Sequence, residues 1–177
     1  MDAMRADAAY DRDEDAAVVI VGQAIQRGCK AATTSAVTLW WAWSDNDFQG
    51  NRTFLANQAG CVADGQGIAY NVLKVRPGRY QMNLLEARPD GRVCQSNFLG
   101  YVPWSQPSYN DTPAPKFMVG KGEVIYVGDI VFSEPCGAKM AEIGRNDAAA
   151  RAALARFEKF RAEIAYRPLI VAGQSAR

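Results

Sequence analysis

The stretch from Lys116 to Phe132, Lys-Phe-Met-Val-Gly-Lys-Gly-Glu-Val-Ile-Tyr-Val-Gly-Asp-Ile-Val-Phe, constrains the fold more than any other. It predicts a strand, a tight Gly-Lys-Gly turn, and a long apolar strand folded back as a hairpin. Gly120 and Gly122 can take the positive φ that such a turn needs. On a period of two, Val124, Tyr126, Gly128 and Ile130 share one face of the long strand. Ile125, Val127, Asp129 and Val131 share the other. Both faces are mostly apolar, which predicts a strand central to a sandwich rather than at its edge. Asp129 interrupts this pattern. A buried carboxylate needs hydrogen-bond partners, and a stapling role is expected for it in preference to catalysis.

The rest of the chain reads as further short strands separated by turn signals. Ala16–Gly22, Val37–Trp43, Thr53–Ala56 and Ile68–Val75 are apolar or β-branched runs. Pro77-Gly78 marks a turn before a strand over Tyr80–Glu86, and Arg92–Phe98 is its expected antiparallel partner. Prolines 103, 107, 113 and 115 exclude a central strand over 100–115 and predict a long loop. Lys139–Ile143 suits one more short strand, and Leu169–Ala172 an edge strand.

Asn146 suits a helix N-cap, with Asp147 in the first turn. The Ala-, Arg- and Glu-rich segment after it predicts a helix over about 146–165, with Ala153, Phe157, Phe160 and Ile164 on one face. The fold expected is mainly β: an antiparallel β-sandwich with one C-terminal amphipathic α-helix packed on it. A closed barrel is the alternative. A chain of 177 residues suits one domain, expected over 16–173 behind a flexible acidic segment at 1–15.

Several function classes are set aside by what the sequence lacks. It contains no histidine, which removes Ser-His and Cys-His nucleophile pairs and His-containing metal sites. Neither a cofactor nor a metal is expected. The net charge of +1 gives no overall field for nucleic acid. The charge is uneven, with a net of −4 over residues 1–15 and +3 over 145–167. Such runs are usually solvated faces.

Cys29, Cys61, Cys94 and Cys136 form no C-x-x-C pair, and three of the four adjoin a glycine. Cysteines in turns, even in number, suggest two disulfides and an oxidising compartment, with three connectivities open. The alternative is four free thiols in a cytosolic protein. No run of ~18 apolar residues suggests a transmembrane segment. The first residues lack a signal-like apolar core. The expectation is therefore a cytoplasmic protein or a chain whose signal or lipid anchor is absent, and the cysteines favour the second.

Two elements together carry a resemblance. One is Val75-Arg-Pro-Gly-Arg-Tyr80. The other is Phe117-Met-Val-Gly-Lys-Gly-Glu-Val-Ile-Tyr-Val-Gly-Asp-Ile130, trailed by an Ala/Arg-rich helix and a short Pro-apolar end. Over roughly residues 68–170 the chain resembles small bacterial cell-envelope proteins and lipoproteins with a prealbumin-like, or carboxypeptidase-regulatory-like, sandwich. The resemblance implies a periplasmic or cell-surface location, often through a lipid on an N-terminal cysteine, and it brings no reaction with it. No cysteine stands near the start of this chain.

The candidate contact residues are aromatic. Tyr101, Trp104 and Tyr109 lie in the Pro-rich loop, where exposed rings would suit protein contacts; rings folded back over the sheet end are the alternative. Trp40 lies on the opposite strand face from Trp41 and Trp43, which are expected in the core. Asp45 and Asp47 fit turn chemistry better than a cation site, and Lys121 a solvated turn. The sequons at Asn51 and Asn110 have no role under a bacterial resemblance.

The function expected is a non-enzymatic envelope sandwich that binds a protein partner or an envelope component, or serves as a structural accessory. The contact surfaces would be loop 100–115 and the helix. A small-ligand or carbohydrate-binding sandwich using Trp40 and Trp104 is the alternative, and a carboxylate-only hydrolase a third.

Overall fold

The computed structural model describes residues 16–29, 37–44, 53–56, 59–63, 65, 67–87, 93–97, 114–136, 139–157 and 162–171. Among them are eleven strands and one helix in two sheets, so the protein is mainly β. The first sheet is built on β1 (Ala17–Ile25) and β9 (Val124–Phe132), which run parallel. Along its other edge β1 pairs antiparallel with β5 (Ala69–Val75) and, at its end, parallel with β4 (Gly60–Cys61). The far edge of β9 carries β10 (Met140–Gly144), antiparallel, and β11 (Ala165–Tyr166), parallel. The second sheet orders β3 (Thr53–Ala56), β2 (Val37–Ser44), β6 (Gly78–Ala87) and β7 (Cys94–Asn97), with β8 (Lys116–Val119) also on β6. Its pairings are all antiparallel.

β1 and β9 occupy the middle of their sheet because both their faces are apolar. Every residue of β1 is buried, and so is all of β9 apart from Val131. One face packs toward the second sheet. There Val19, Val21, Leu73, Ile125, Val127, Ile130 and Phe132 share a core with Leu39, Tyr80, Met82, Leu85, Phe117 and Val119. The other face is covered by helix α1 (Asp147–Ala155). Val18, Ile20, Val72, Val124 and Tyr126 there meet Ala150, Ala153 and Leu154. Burying each large aliphatic side chain of this kind contributes about 1.5–3 kcal/mol.

Two of the chain's four crossings between the sheets are made by turns that lie wholly within the described residues. Arg76–Pro77 joins β5 to β6, and Gly120–Glu123 joins β8 to β9. The expected Lys116–Phe132 hairpin is therefore corrected: β8 and β9 never pair, because β6 and β1 claim their edges. Tyr80 fixes the first of these turns by donating its hydroxyl to Arg76 O at 2.7 Å. At the second, the Glu123 carboxylate accepts both Arg167 Nη1 (2.8 Å) and Nη2 (2.9 Å), and also Gly120 N–H (2.6 Å). Arg167, with its hydrogen bonds the leading cause, holds Glu123 below the usual carboxylate range.

The helix starts as expected, with Asn146 Oδ1 accepting Ala149 N–H at 3.1 Å. It ends at Ala155 rather than near 165. Phe157 and Ile164 still pack against the helix-side core from outside the helix, and Phe160 lies outside the described residues. Tertiary pairing overrides helix propensity here, because Ala165 and Tyr166 take the free edge of β9 beside Ile125 and Tyr126. Of Leu169–Ala172, Ile170 forms an isolated antiparallel bridge with Lys116. All four cysteines are paired, Cys29 with Cys61 and Cys94 with Cys136. No helix among the described residues is long and apolar enough to cross a membrane.

Candidate functional site

The polar centre of the described structure lies on the helix-covered face of the first sheet, and a local irregularity creates it. β9 carries an extra residue opposite β1: Ile20 pairs with Tyr126, but Gly22 pairs with Asp129. The bulge sits at Gly128, whose φ of 109° favours glycine. Beyond it the alternation is inverted. Asp129 shares a face with Tyr126, and Ile130 shares one with Ile125 and Val127. The simple two-residue period had placed Asp129 on the Ile125 face.

Room for the carboxylate comes from β1. Gly22 lies directly beside Asp129, and a Cβ on Gly22 would run into Asp129 Oδ1 and come within 2.8 Å of Ile68 Cγ2. Glycine inside a strand commonly marks such a close approach. On the far side of Gly22 stands its β5 partner, Tyr70. Tyr70 donates its hydroxyl to Asp129 Oδ2 at 3.0 Å, and Tyr126 donates to Oδ1 at 2.5 Å. The Tyr126 oxygen in turn accepts the Asn146 N–H at 3.0 Å. A chain of hydrogen bonds thus runs from the first residue of the helix cap, through a phenol, to the carboxylate.

Asp129 is 3% exposed. Its burial pushes the carboxyl above its ordinary value, and the two phenol hydrogen bonds oppose that rise. Burial, followed by the neighbouring Asp129 charge, raises Tyr70 to about 12. Tyr126 is also driven up, by burial first and by its bond to Asp129 second. Both phenols therefore stay protonated donors at neutral pH, as an ionised carboxylate requires.

A cleft opens where Tyr126 meets the start of α1, lined by Tyr126, Arg145, Asp147, Ala150, Arg151, Ile164 and Tyr166. Arg145 lies 4.1 Å over the Tyr166 ring and forks onto Asp147 at 2.9 and 2.7 Å. At about 50 Å³ the cleft is well below the ~300 Å³ at which pockets for small organic ligands begin. Asp129 directs both of its oxygens to phenols within the fold. The arrangement fastens α1 to the sheet.

Tyr101, Trp104 and Tyr109 fall outside the described residues, as do Asp45 and Asp47. Trp40 is placed by its backbone, in β2 between Leu55 of β3 and Leu84 of β6. Lys121 is exposed in the turn that crosses between sheets. No group of three or more potential metal ligands occurs among the described residues. Tyr70, Tyr126 and Gly22 were not singled out from the sequence; the available signal was a glycine inside each of two apolar strands.

Compared with known protein families, with curated proteins and with solved structures, the chain gives no significant match. The class is therefore defined by the fold alone: a mainly β, two-sheet protein with two disulfides. Disulfides persist in oxidising compartments, which suggests a non-cytoplasmic setting.

Proposed function

We propose that the chain is a non-enzymatic β-sandwich of the bacterial cell envelope, periplasmic or at the cell surface, that binds a protein partner or another envelope component. The observation that carries this reading is the pairing of all four cysteines in a protein with a well-filled apolar core. A domain of this size does not need disulfides merely to fold; they suit a compartment where stability must persist outside the cytosol. The sandwich reading draws on the core shared by the two sheets. It also draws on Tyr80, whose bond back to Arg76 is the device that pins a sheet-to-sheet corner in Greek-key sandwiches. The prealbumin-like resemblance points to the same location. Contact would fall to the aromatic residues Tyr101, Trp104 and Tyr109 of the Pro-rich segment and to Trp40.

The test is capture from a bacterial envelope extract with immobilised wild type and a Trp104→Ala variant. A specific component retained by wild type, and lost at least tenfold with Trp104→Ala, is the expected result. Equal retention by both proteins, or none by either, would remove the reading.

A further inference from the structure

The two disulfides differ in what they join and in how far they are open to attack. Cys29–Cys61 lies within one sheet: Cys61 is in β4, pairs with Ile25 of β1, and is fully buried. The same corner is held by Val62 N–H donating to Ile25 O at 2.9 Å. Cys94–Cys136 joins different sheets. Cys94 opens β7, the four-residue strand at the edge of the second sheet. Cys136 lies in the connection from β9 to β10, in the first sheet. Cys136 is exposed, while Cys94 is half-buried against the shared core.

Exchange requires a thiolate to reach one sulfur along the S–S axis, so access governs which bond reacts. We propose that Cys94–Cys136 is a thiol–disulfide exchange site, and that opening it unclasps β7 from the first sheet while Cys29–Cys61 stays closed. The reagent it fits is the dithiol of a thiol–disulfide oxidoreductase. Its thiolate attacks Sγ of Cys136, an exposed residue, the S–S bond breaks, and Cys94 leaves as a thiolate that takes up a proton. The second thiol of the reagent then attacks its own sulfur in the mixed disulfide. Cys136 is released, the reagent leaves as its disulfide, and two electrons and two protons have passed to the protein. The structural consequence falls on Cys94–Asn97, which pair only with Leu84–Ala87 among the described strands.

The probe is dithiothreitol, added to the oxidised full chain without denaturant. Iodoacetamide quenching and peptide mass spectrometry follow the four cysteines, and hydrogen exchange follows the backbone. Cys94 and Cys136 should be alkylated at least tenfold faster than Cys29 and Cys61. Amides of Cys94–Asn97 should lose protection at least tenfold while those of β1 and β9 keep theirs. Equal rates at the two bonds, earlier opening of Cys29–Cys61, or no opening short of unfolding would each overturn the proposal, as would protection lost evenly across both sheets. A Cys94→Ser/Cys136→Ser variant should show the exchange pattern of the reduced protein. If that variant does not fold, β7 is not an independently releasable element and the unclasping is refuted.

Discussion

On the helix-covered face of the first sheet, Asp129 accepts hydrogen bonds from two phenols. On the opposite face, Gln23 continues the row of Ala17, Val19 and Val21, is fully buried, and has no partner among the described residues for its oxygen or its nitrogen. The two residues stand in neighbouring strands, since Gln23 pairs with Ile130, the residue after Asp129. One polar group is surrounded by dedicated donors, with a bulge and a glycine making space for it. The other sits in an apolar layer whose described residues offer it no donor or acceptor. An unpaired amide in an apolar setting costs about 1–3 kcal/mol. The contrast separates a polar group that positions an element, here α1, from one that the surrounding core merely tolerates.

The largest break in this comparison should come from Gly22→Ala, which drives a methyl into the Asp129 carboxylate. A loss of about 3 kcal/mol is expected in urea unfolding. Asp129→Ala should cost about 2–3 kcal/mol on its own, by leaving the buried Tyr126 phenol and the half-buried Tyr70 phenol without their acceptor. Because the two residues contest the same space, the double variant should be less destabilised than the sum by at least about 1 kcal/mol. Strict additivity would mean that Asp129 does not occupy the gap over Gly22.

Gln23→Leu should move stability the other way, raising it by about 1 kcal/mol or more, whereas Asp129→Leu should lower it. A destabilised Gln23→Leu protein would show that the amide is satisfied after all, and the contrast between the faces would vanish.

The pH response sharpens the comparison further. Asp129 has a folded-state value raised above the unfolded one. Between those two values the native state holds the extra proton, so its contribution falls as pH rises through that window. Glu123 has a lowered value. Its contribution is present above its unfolded value and is lost as pH falls through the folded one. Unfolding midpoints of wild type, Asp129→Asn and Glu123→Gln over pH 3–7 should show slope changes of opposite sign. The Glu123 effect should be the smallest of the set, under about 1 kcal/mol, because the pair is more than a third exposed and screened by water.

Much of the fold was legible where the signal is local. The double-sided burial of β9, the strand at Tyr80–Glu86 with its partner after Arg92, and the Asn146 cap all followed from residues close in sequence. The Gly-Lys-Gly turn misled because the same residues serve a hairpin and a crossing between sheets, and only distant strands decide between them. The face of Asp129 was misassigned because one bulge residue inverts every position after it. Asp129 itself stood out as a carboxylate needing partners. Tyr70 could not be named as one of them, since it is 59 residues away and reaches Asp129 only because β1 aligns both. The pairing of the cysteines was equally hidden, because spacing alone leaves three connectivities open.

The parallel ladder between β1 and β9 bears on how the chain reaches this state. Its partners, such as Val18 and Val124, lie more than a hundred residues apart. As the chain emerges from the ribosome, β1 appears about a hundred residues before β9, its central neighbour. Contacts of such sequence separation require a long loop to close before they yield any stabilisation, and proteins dominated by them fold in milliseconds to seconds. Throughout that interval β1 offers an uncovered apolar edge to other chains. Assembly of the centre of the first sheet is thus a late event in folding, and the nascent chain depends on shielding until residue 132 is available.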